Sequence, residues 1–315
     1  MPARNSPPGP NSRRVVFRAG VASLLRRLSP ASPAMVQAGL KRLLIMVALA
    51  LAPASPVRAE PDATIALSGT AIQGGALSGT APPGTVELRL DTQLVPVDVD
   101  GRFLIAFDRD ATPLARLSAR LSDGRTVERM VDVAPRAWRI ERVDAPLRPV
   151  RDNQAFLAMR RPELEQIAAA RAQVTDAQGW RQRFIWPRTG RISGLFGSQR
   201  IYRGVPGAYH GGVDIAAATG DPVIAPADGV VVLAADHPFT LEGNLLMIDH
   251  GHGLVSAFLH LSRIDVRAGD HVIQGQRIGA VGATGRATGP HLHWGLRWNE
   301  ARLDPLLLAG PMPSR

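Results

Sequence analysis

Apolar residues of this chain occur mainly in short runs, and turns rich in glycine and proline separate them. Turns of this kind within residues 62–148 include Gly74-Gly75, Pro82-Pro83-Gly84 and Asp100-Gly101. Between residues 184 and 305, apolar runs such as 230–233 and 245–248 alternate with glycine-containing turns. Runs of this length bounded by turn residues are typical of β-strands. The pattern therefore predicts a mainly β protein with two β regions.

The first β region, residues 60–148, has a sequence pattern typical of a small β-sandwich-like domain. Residues 86–90 alternate apolar and polar side chains, as one face of a strand requires. Asp100-Gly101 stands between two strand-like stretches, 95–99 and 103–107, which predicts a hairpin. Its residues are not of catalytic types, so we expect an accessory module.

A helix is expected between the two β regions, over residues 162–178. Pro162 suits the first helical position, and Gly179 suits the residue after the end. Leu164, Ile167, Ala168 and Val174 would lie on one side at helical spacing. The helix is expected to pack on the second β region or to bridge the two.

The N-terminal segment carries the positive charge of the chain. Nine of the 37 basic residues lie in residues 1–59, which have no acidic residue, so 28 basic residues face 27 acidic ones in the remainder. A nucleic-acid-binding function is therefore not expected. Lys41-Arg42, the ten-residue apolar run that follows and Val57-Arg58-Ala59 have the order of a cleavable signal peptide. Ten apolar residues are too few to span a bilayer.

All eight histidines lie between residues 210 and 293, which places the chemistry in the second β region. His291 and His293 would share one face of a strand, because side chains two residues apart point the same way. The flexible pair Gly211-Gly212 lets His210 and Asp214 turn toward one ion. His260 ends an alternating run with Leu254, Ser256 and Phe258, which we expect on a single face. Imidazole and carboxylate groups suit zinc, and the chain has no cysteine to supply a thiolate.

These segments resemble the LytM/lysostaphin-type zinc metallopeptidases, which cut peptidoglycan cross-bridges. The resemblance runs from Gly190 to Trp294, about a third of the chain. The segments that carry it are Ser193-Gly-Leu-Phe-Gly197, His210-Gly-Gly-Val-Asp214, Phe258-Leu-His-Leu-Ser262 and the run from Gly282 to His293. The resemblance implies an all-β catalytic domain of the duplicated-hybrid-motif type.

Carried over by position, the resemblance implies that His210, Asp214 and His293 bind one Zn²⁺ per chain. His260 and His291 would then be the catalytic histidines that do not bind the metal. Phe258 stands where the family usually has tyrosine, a change expected to affect the groove rather than the metal. The implied function is a zinc metalloendopeptidase that acts on peptidoglycan peptide stems in the periplasm. No membrane span is expected after signal cleavage, and a regulatory protein partner is left open.

Parts of the sequence also bear on other functions. A catalytically silent amidase activator or cell-wall-binding regulator of the same fold remains the alternative. Residues 229–232 and 266–279 resemble biotinyl and lipoyl carrier domains, but a carrier needs a modifiable lysine and Lys41 is the only lysine of the chain. A thermolysin-type zinc site is excluded because no His-Glu-x-x-His pattern occurs in the sequence.

The expected organisation divides the chain into six parts, and we expect translation to start at Met35. They are a mis-called or disordered extension (1–34), a signal peptide (35–59), the accessory domain (60–148), a linker with helix 162–178 (149–183), the catalytic domain (184–305) and a tail (306–315). The substrate groove is expected to be lined by loops 203–209, 239–244 and 284–288.

Overall fold

The computed structural model describes residues 63–147 and 154–313, which belong to one compact unit. Its mainly β architecture, with one helix between two β regions, confirms the expected fold class. The N-terminal strands are β1 (Ala66–Ser68), β2 (Ala76–Thr80), β3 (Thr85–Leu90), β4 (Gln93–Leu94), β5 (Arg102–Ala106), β6 (Leu114–Leu121), β7 (Thr126–Asp132) and β8 (Ile140–Val143). Helix α1 (Gln154–Arg171) and a 3₁₀ turn, Gly179–Arg181, follow.

The C-terminal region adds thirteen strands and a short helix within the described residues. The strands are β9 (Arg191–Gly194), β10 (Gln199–Tyr202), β11 (Val205–Pro206), β12 (Val213–Ala216), β13 (Pro222–Ile224), β14 (Gly229–Ala234), β15 (Asn244–Asp249), β16 (Leu254–Leu261), β17 (Arg263–Ile264), β18 (His271–Val272), β19 (Arg277–Ala280), β20 (His291–Trp298) and β21 (Ala301–Leu303). Helix α2 (Pro305–Ala309) follows β21.

The N-terminal strands form two small sheets, in the orders β1-β2-β5 and β4-β3-β6-β7. Leu77 and Phe103 of the first sheet and Leu88 and Leu117 of the second are buried in one hydrophobic cluster. The turn predicted at Asp100-Gly101 is present, but residues 95–99 form no strand before it. Pro96 explains this difference, because it has no N–H to donate to a neighbouring strand.

Helix α1 begins and ends earlier than the sequence predicts, so the prediction of a helix over 162–178 was wrong in its bounds. Pro162 lies inside the helix rather than at its start. The proline removes a hydrogen bond to the carbonyl of Ala158, but both residues are on the exposed side, where water can bond to that carbonyl. The buried side consists of Glu163, Ile167 and Ala170.

Beyond Arg171 the chain leaves the helical path well before Gly179. Thr175 bonds to the carboxylate of Asp249 through its hydroxyl at 2.6 Å and its N–H at 3.3 Å. Val174 is 95% exposed, and half of Leu164 is exposed, so neither belongs to the packed face. The predicted apolar stripe was therefore correct only at Ile167.

An eight-stranded sheet carries the C-terminal region, in the order β18-β14-β15-β16-β20-β12-β9 with β21 beside β20. The apolar runs at 230–233 and 245–248 lie in strands β14 and β15, which confirms the prediction that they form strands. One face of the sheet is packed with fully buried side chains that include Ile215, Phe258 and Trp294. Helix α1 covers part of the other face, where Ile167 packs in a cluster with Leu245 and Met247.

The two β regions contribute to one hydrophobic cluster and are also joined by strand pairing and polar contacts. Strand β8 pairs in parallel with β10, so residues 140–143 extend the C-terminal region. The buried guanidinium of Arg109 donates to the carbonyl of Gly197 at 3.0 Å and lies over the rings of Trp138 and Tyr209. Arg136 forms an ion pair at 2.8 Å with the buried Asp304.

The expected extension and signal peptide, residues 1–59, lie outside the described residues, as do residues 149–153 of the linker and the last two residues of the tail. Among the described helices, none combines the length and the apolar character that crossing a membrane requires.

Candidate metal centre

His210, Asp214 and His293 converge on one point at the surface of the large sheet. Asp214 on β12 and His293 on β20 are directly paired across the two strands. The Oδ1 atom of Asp214 lies 2.9 Å from His293 Nδ1 and 3.0 Å from His210 Nε2. The two imidazole nitrogens are 3.1 Å apart. Three potential ligand atoms thus form a nearly equilateral triangle.

The chemistry of this triangle fits a divalent zinc ion. His210 Nδ1 lies 3.1 Å from the carbonyl oxygen of Leu195, so it donates its hydrogen there. In the neutral ring, Nε2 then presents a lone pair to the carboxylate of Asp214, and two acceptors face each other. A proton or a cation must offset this repulsion. Donors around tetrahedral zinc lie about 3.3 Å apart, close to the spacing seen here.

Burial and hydrogen bonding set the charges of the triangle. Burial raises the pKa of Asp214, but hydrogen bonds and charge from His210 and His293 outweigh it and hold that pKa below its usual range. Burial is also the largest single influence on the pKa of His210 and lowers it. The hydrogen bond and the negative charge of Asp214 together outweigh burial, so the pKa of His210 is raised. Burial prevails at His293 and lowers its pKa. An ionised carboxylate and a neutral His293 are the forms in which these side chains bind a metal.

Two glycines make room for the triangle. A Cβ on Gly194 would lie 2.2 Å from Asp214 Oδ2, and a Cβ on Gly212 would lie 2.8 Å from His293 Nε2. Gly212 belongs to the pair that the sequence marked as unhindered. The role of Gly194 was missed, because β9 meets β12 only in the folded sheet.

His260 and His291 lie beside the triangle, with ring centres 4.9 Å apart. His260 Nδ1 donates to the carbonyl of Thr284 at 2.9 Å, and His291 Nδ1 donates to that of Gly289 at 2.8 Å. The neutral form of each ring therefore carries its lone pair on Nε2. His291 Nε2 lies 3.7 Å from Asp214 Oδ1, and burial lowers the pKa of His260.

The expectation that His260 shares a face with Leu254, Ser256 and Phe258 was wrong. Those three residues are at most 1% exposed and point into the core, whereas His260 borders the groove. His260 has a φ of +63°, in the left-handed region, which turns its side chain out of the strand alternation. Phe258 thus packs in the core, and its expected effect on the groove was also wrong.

A network that the sequence did not reveal holds the backbone of His260. The N–H of His260 donates to the carbonyl of Glu242 at 2.8 Å. The carboxylate of Glu242 accepts two hydrogen bonds of 2.6 Å from Arg160 on α1. Arg160 also pairs with Glu163, which accepts from the N–H and hydroxyl of Thr240 at 2.6 Å. Arg160 and Glu242 are 82 residues apart, so no local pattern marks them.

A cavity of about 540 Å³ opens over the five candidate residues. Its lining includes Tyr209 from the first predicted loop, Leu241 and Glu242 from the second, and Arg286 and Thr288 from the third. Arg203 points elsewhere and pairs with Asp144 at 2.9 Å. Residues of α1, β15, β16, β20 and β21 also line the cavity, outside the three predicted loops.

The remaining histidines lie apart from the cavity. His250 is fully buried, with Nδ1 donating to the Asp228 carbonyl at 2.7 Å and Nε2 accepting from the Ser256 hydroxyl at 2.8 Å. His252 stacks on Trp180 with ring centres 4.1 Å apart. His237 and His271 are exposed.

Comparison with known proteins shows which family this part of the chain is similar to. Residues 208–305 match peptidase family M23. The peptidoglycan DD-endopeptidase ShyA of Vibrio cholerae is 44% identical over 116 residues, 36% of this chain and 26% of ShyA. The cell division protein DipM of Caulobacter vibrioides is 35% identical over 133 residues, 42% of this chain and 21% of DipM. The chain spans about a quarter of the length of these relatives.

The fold is also similar to that of a crystal structure from Pseudomonas aeruginosa assigned to the M23 peptidases. That chain is 28% identical, with a TM-score of 0.59, and the match covers 77% of this chain and 96% of the other. The similarity therefore extends beyond the residues matched by the family, into the N-terminal β region.

Proposed function

Residues 208–305 belong to peptidase family M23, and on that premise we propose that the chain is a zinc metalloendopeptidase that hydrolyses peptide cross-links of peptidoglycan. The observation that carries the proposal is the triangle of His210, Asp214 and His293 with two further histidines beside it. In this proposal residues 184–305 are catalytic, residues 60–148 are accessory, and residues 149–183 link them.

The three residues of the triangle would hold one zinc ion per chain. When bound, zinc would polarise the scissile carbonyl and lower the pKa of a coordinated water toward about 7. The Asp214 carboxylate supplies the negative charge of the ligand set, and the carbonyl of Leu195 fixes the ring of His210. Gly194 and Gly212 leave the space that the side chains of Asp214 and His293 occupy.

His260 and His291 are the proposed catalytic residues. Each ring is fixed by a carbonyl that accepts from Nδ1, so each Nε2 is free to take up a proton from the attacking water. Once protonated, the same atom can donate to the oxyanion that forms on the substrate. One histidine would act as the base and the other would stabilise the oxyanion.

The relatives support a cell-wall substrate. Several of the similar proteins are peptidoglycan DD-endopeptidases by name, including two from Vibrio cholerae at 44% and 39% identity. Together with the signal-like order of residues 35–59, this supports export to the periplasm and action on the stem peptides there.

The test is muropeptide release from purified peptidoglycan by the full chain, with and without a chelator. We expect release to stop when zinc is removed and to return when one equivalent is restored. No release by the zinc-loaded protein would contradict the proposal, and a gain in amidase activity on its addition would favour the catalytically silent activator instead.

A further inference from the structure

One end of the cavity is bordered by arginines from three different elements. Arg297 lies on β20 four residues after His293, and both belong to the same face of the strand because their separation is even. At roughly 3.3 Å per residue, the two backbones are about 13 Å apart. Arg302 lies on β21, directly opposite Arg297 in the pairing of β20 with β21. Arg171 lies in the last turn of α1. All three line the cavity, and we call them the arginine corner.

The positive charge of the arginine corner is only partly compensated. Arg297 forms an ion pair with Glu300, whose side chain is 92% exposed. Neither Arg171 nor Arg302 forms an ion pair with any residue that the structure describes. The two carboxylates that border the same cavity have other partners: Asp214 is held by histidines and Glu242 by Arg160. The corner therefore presents unpaired guanidinium groups to whatever enters the groove.

The arginines crowd one another. The pKa of Arg171 is lowered, first by the packing that removes water from its guanidinium and then by the positive charge of Arg297 and of Arg302, which the negative charges of Glu300 and Glu242 offset only in part. Like charges held together are unfavourable where counter-charges offset them only in part, so an anion placed between them relieves a cost already present in the free protein.

The arginine corner is also partly pre-organised. The guanidinium of Arg302 lies over the ring of Tyr209, 5.2 Å from its centre, and its stem packs beside Gly211. Arg297 Nε donates to the carbonyl of Asn299 at 2.7 Å. Planar guanidinium groups bind carboxylates through paired hydrogen bonds, and less entropy is lost when the side chain is already held.

We infer that the arginine corner binds a free carboxylate of the peptide substrate, roughly two to four residues from the scissile bond, given the strand spacing and the reach of arginine. This inference rests on the proposed function, because it assumes that a peptide lies in the groove along β20. The chain then selects acidic stem peptides over neutral ones, and the arginine corner determines specificity without taking part in the chemistry. The carboxylate can come from a side chain of the stem or from its free C-terminus.

The test compares two soluble cross-linked muropeptides that differ only in their carboxylates, which are free in one and amidated in the other. Binding of each to the metal-depleted full chain is measured by calorimetry, so that the readout does not depend on hydrolysis. We expect the free acid to bind about 10-fold more tightly, a factor typical of one charge-assisted contact of about 1.4 kcal/mol. Two partly amidated muropeptides, one blocked at the side chains and one at the C-terminus, identify which carboxylate is recognised.

The variant R171Q/R302Q should lose the preference and bind the free-acid and the amidated peptide with equal affinity. The matched control R142Q/R267Q removes the same charge at two exposed positions outside the cavity and should keep the preference. Equal affinity of the wild type for both peptides, absence of binding, or a preference that survives in R171Q/R302Q would overturn the inference.

Hydrolysis by the zinc-loaded protein is measured separately, so the two proposals fail in different ways. Preferential binding without hydrolysis would leave the arginine corner standing and end the peptidase proposal. Hydrolysis of both muropeptides at equal kcat/KM, with equal affinity, would do the reverse.

Discussion

The carbonyl oxygen of Glu242 accepts the backbone N–H of His260 at 2.8 Å, and this bond joins a groove loop to a proposed catalytic residue. His260 has a left-handed backbone, which costs a residue other than glycine on the order of 1 kcal/mol or more. The surrounding contacts must hold it there. Arg160 on α1 contributes to this by fixing the carboxylate of Glu242. The helix between the two β regions thus helps to position the site.

Replacing Arg160 with alanine is expected to lower both stability and turnover. The change leaves the carboxylates of Glu163 and Glu242 without their shared partner in a largely buried setting, which costs about 3 kcal/mol of unfolding free energy. Looser support of His260 should reduce kcat about 10-fold while zinc content stays at one per chain. Denaturant unfolding, hydrolysis rates and metal analysis measure these three effects.

The neighbouring residue provides the control for this prediction. Arg161 is 83% exposed and contacts Glu165 only at 3.9 Å, so R161A should change stability by less than about 0.5 kcal/mol. If R160A matched R161A in both stability and kcat, the helix would have no part in positioning His260.

Replacing each of the two histidines of β20 separately with alanine should distinguish metal binding from catalysis. His293→Ala removes one of three converging donors, so we expect the purified protein to lose zinc. His291→Ala leaves the triangle intact, so zinc should stay bound while hydrolysis falls by at least about 100-fold. Metal analysis and muropeptide release on the same preparations check both statements. A zinc-replete and fully active His291→Ala protein would show that the assignment of His291 is wrong.

A methyl group on Gly194 should weaken the metal site from outside the ligand set. The added Cβ would lie 2.2 Å from Asp214 Oδ2, so the carboxylate must leave the position in which it faces both His210 and His293. We expect zinc affinity to fall about 10- to 100-fold, the range found when support of a ligand is lost. Competition with a chromogenic chelator measures it. Gly289→Ala is the control, because its Cβ would meet no atom within 4 Å, and equal losses in both variants would refute the steric explanation.

The buried His250 should make stability depend on pH. Burial lowers its pKa to about 4, against a reference of about 6.5 for an exposed histidine. The unfolded chain takes up a proton as the pH falls through 6.5, whereas the folded chain resists until about 4. The contribution of His250 is therefore complete above pH 6.5 and is lost between 6.5 and 4. At pH 5 the loss amounts to about 2 kcal/mol.

Denaturant unfolding of the wild type and of His250→Gln at pH 7.5 and pH 5.0 isolates this contribution. Glutamine does not titrate, so the variant should lose about 2 kcal/mol less than the wild type over that interval. An equal loss in both proteins would mean that His250 is not held neutral by the fold.

Much of the site follows from local patterns in the sequence. The two-residue spacing of His291 and His293 predicts that both side chains leave one face of a strand, and β20 has this arrangement. The glycines beside His210 predict a backbone that can turn toward Asp214, and the two side chains lie 3.0 Å apart. Such inferences succeed because a strand fixes side-chain direction over a few residues.

Other parts of the site depend on contacts that are distant in the sequence. His260 breaks the alternation of side chains along β16. Glu242, in the loop between β14 and β15, accepts the N–H of His260 and helps to hold its backbone in the left-handed region. The bounds of α1 depend on packing of Ile167 and Ala170 rather than on Pro162, whose local preference favours a helix start. The arginine corner assembles from α1, β20 and β21, and no one of its residues stands out in the sequence.

The central claim is that the five residues of the site hydrolyse a peptide bond of the cross-link. The most direct measurement is mass spectrometry of a soluble cross-linked muropeptide dimer after incubation with the zinc-loaded wild type and with zinc-loaded His291→Ala. We predict that the wild type converts the dimer to two monomers whose glycan-to-peptide bonds remain intact, and that the variant leaves it uncut. An uncut dimer with the wild type, or equal conversion by the variant, would contradict the account.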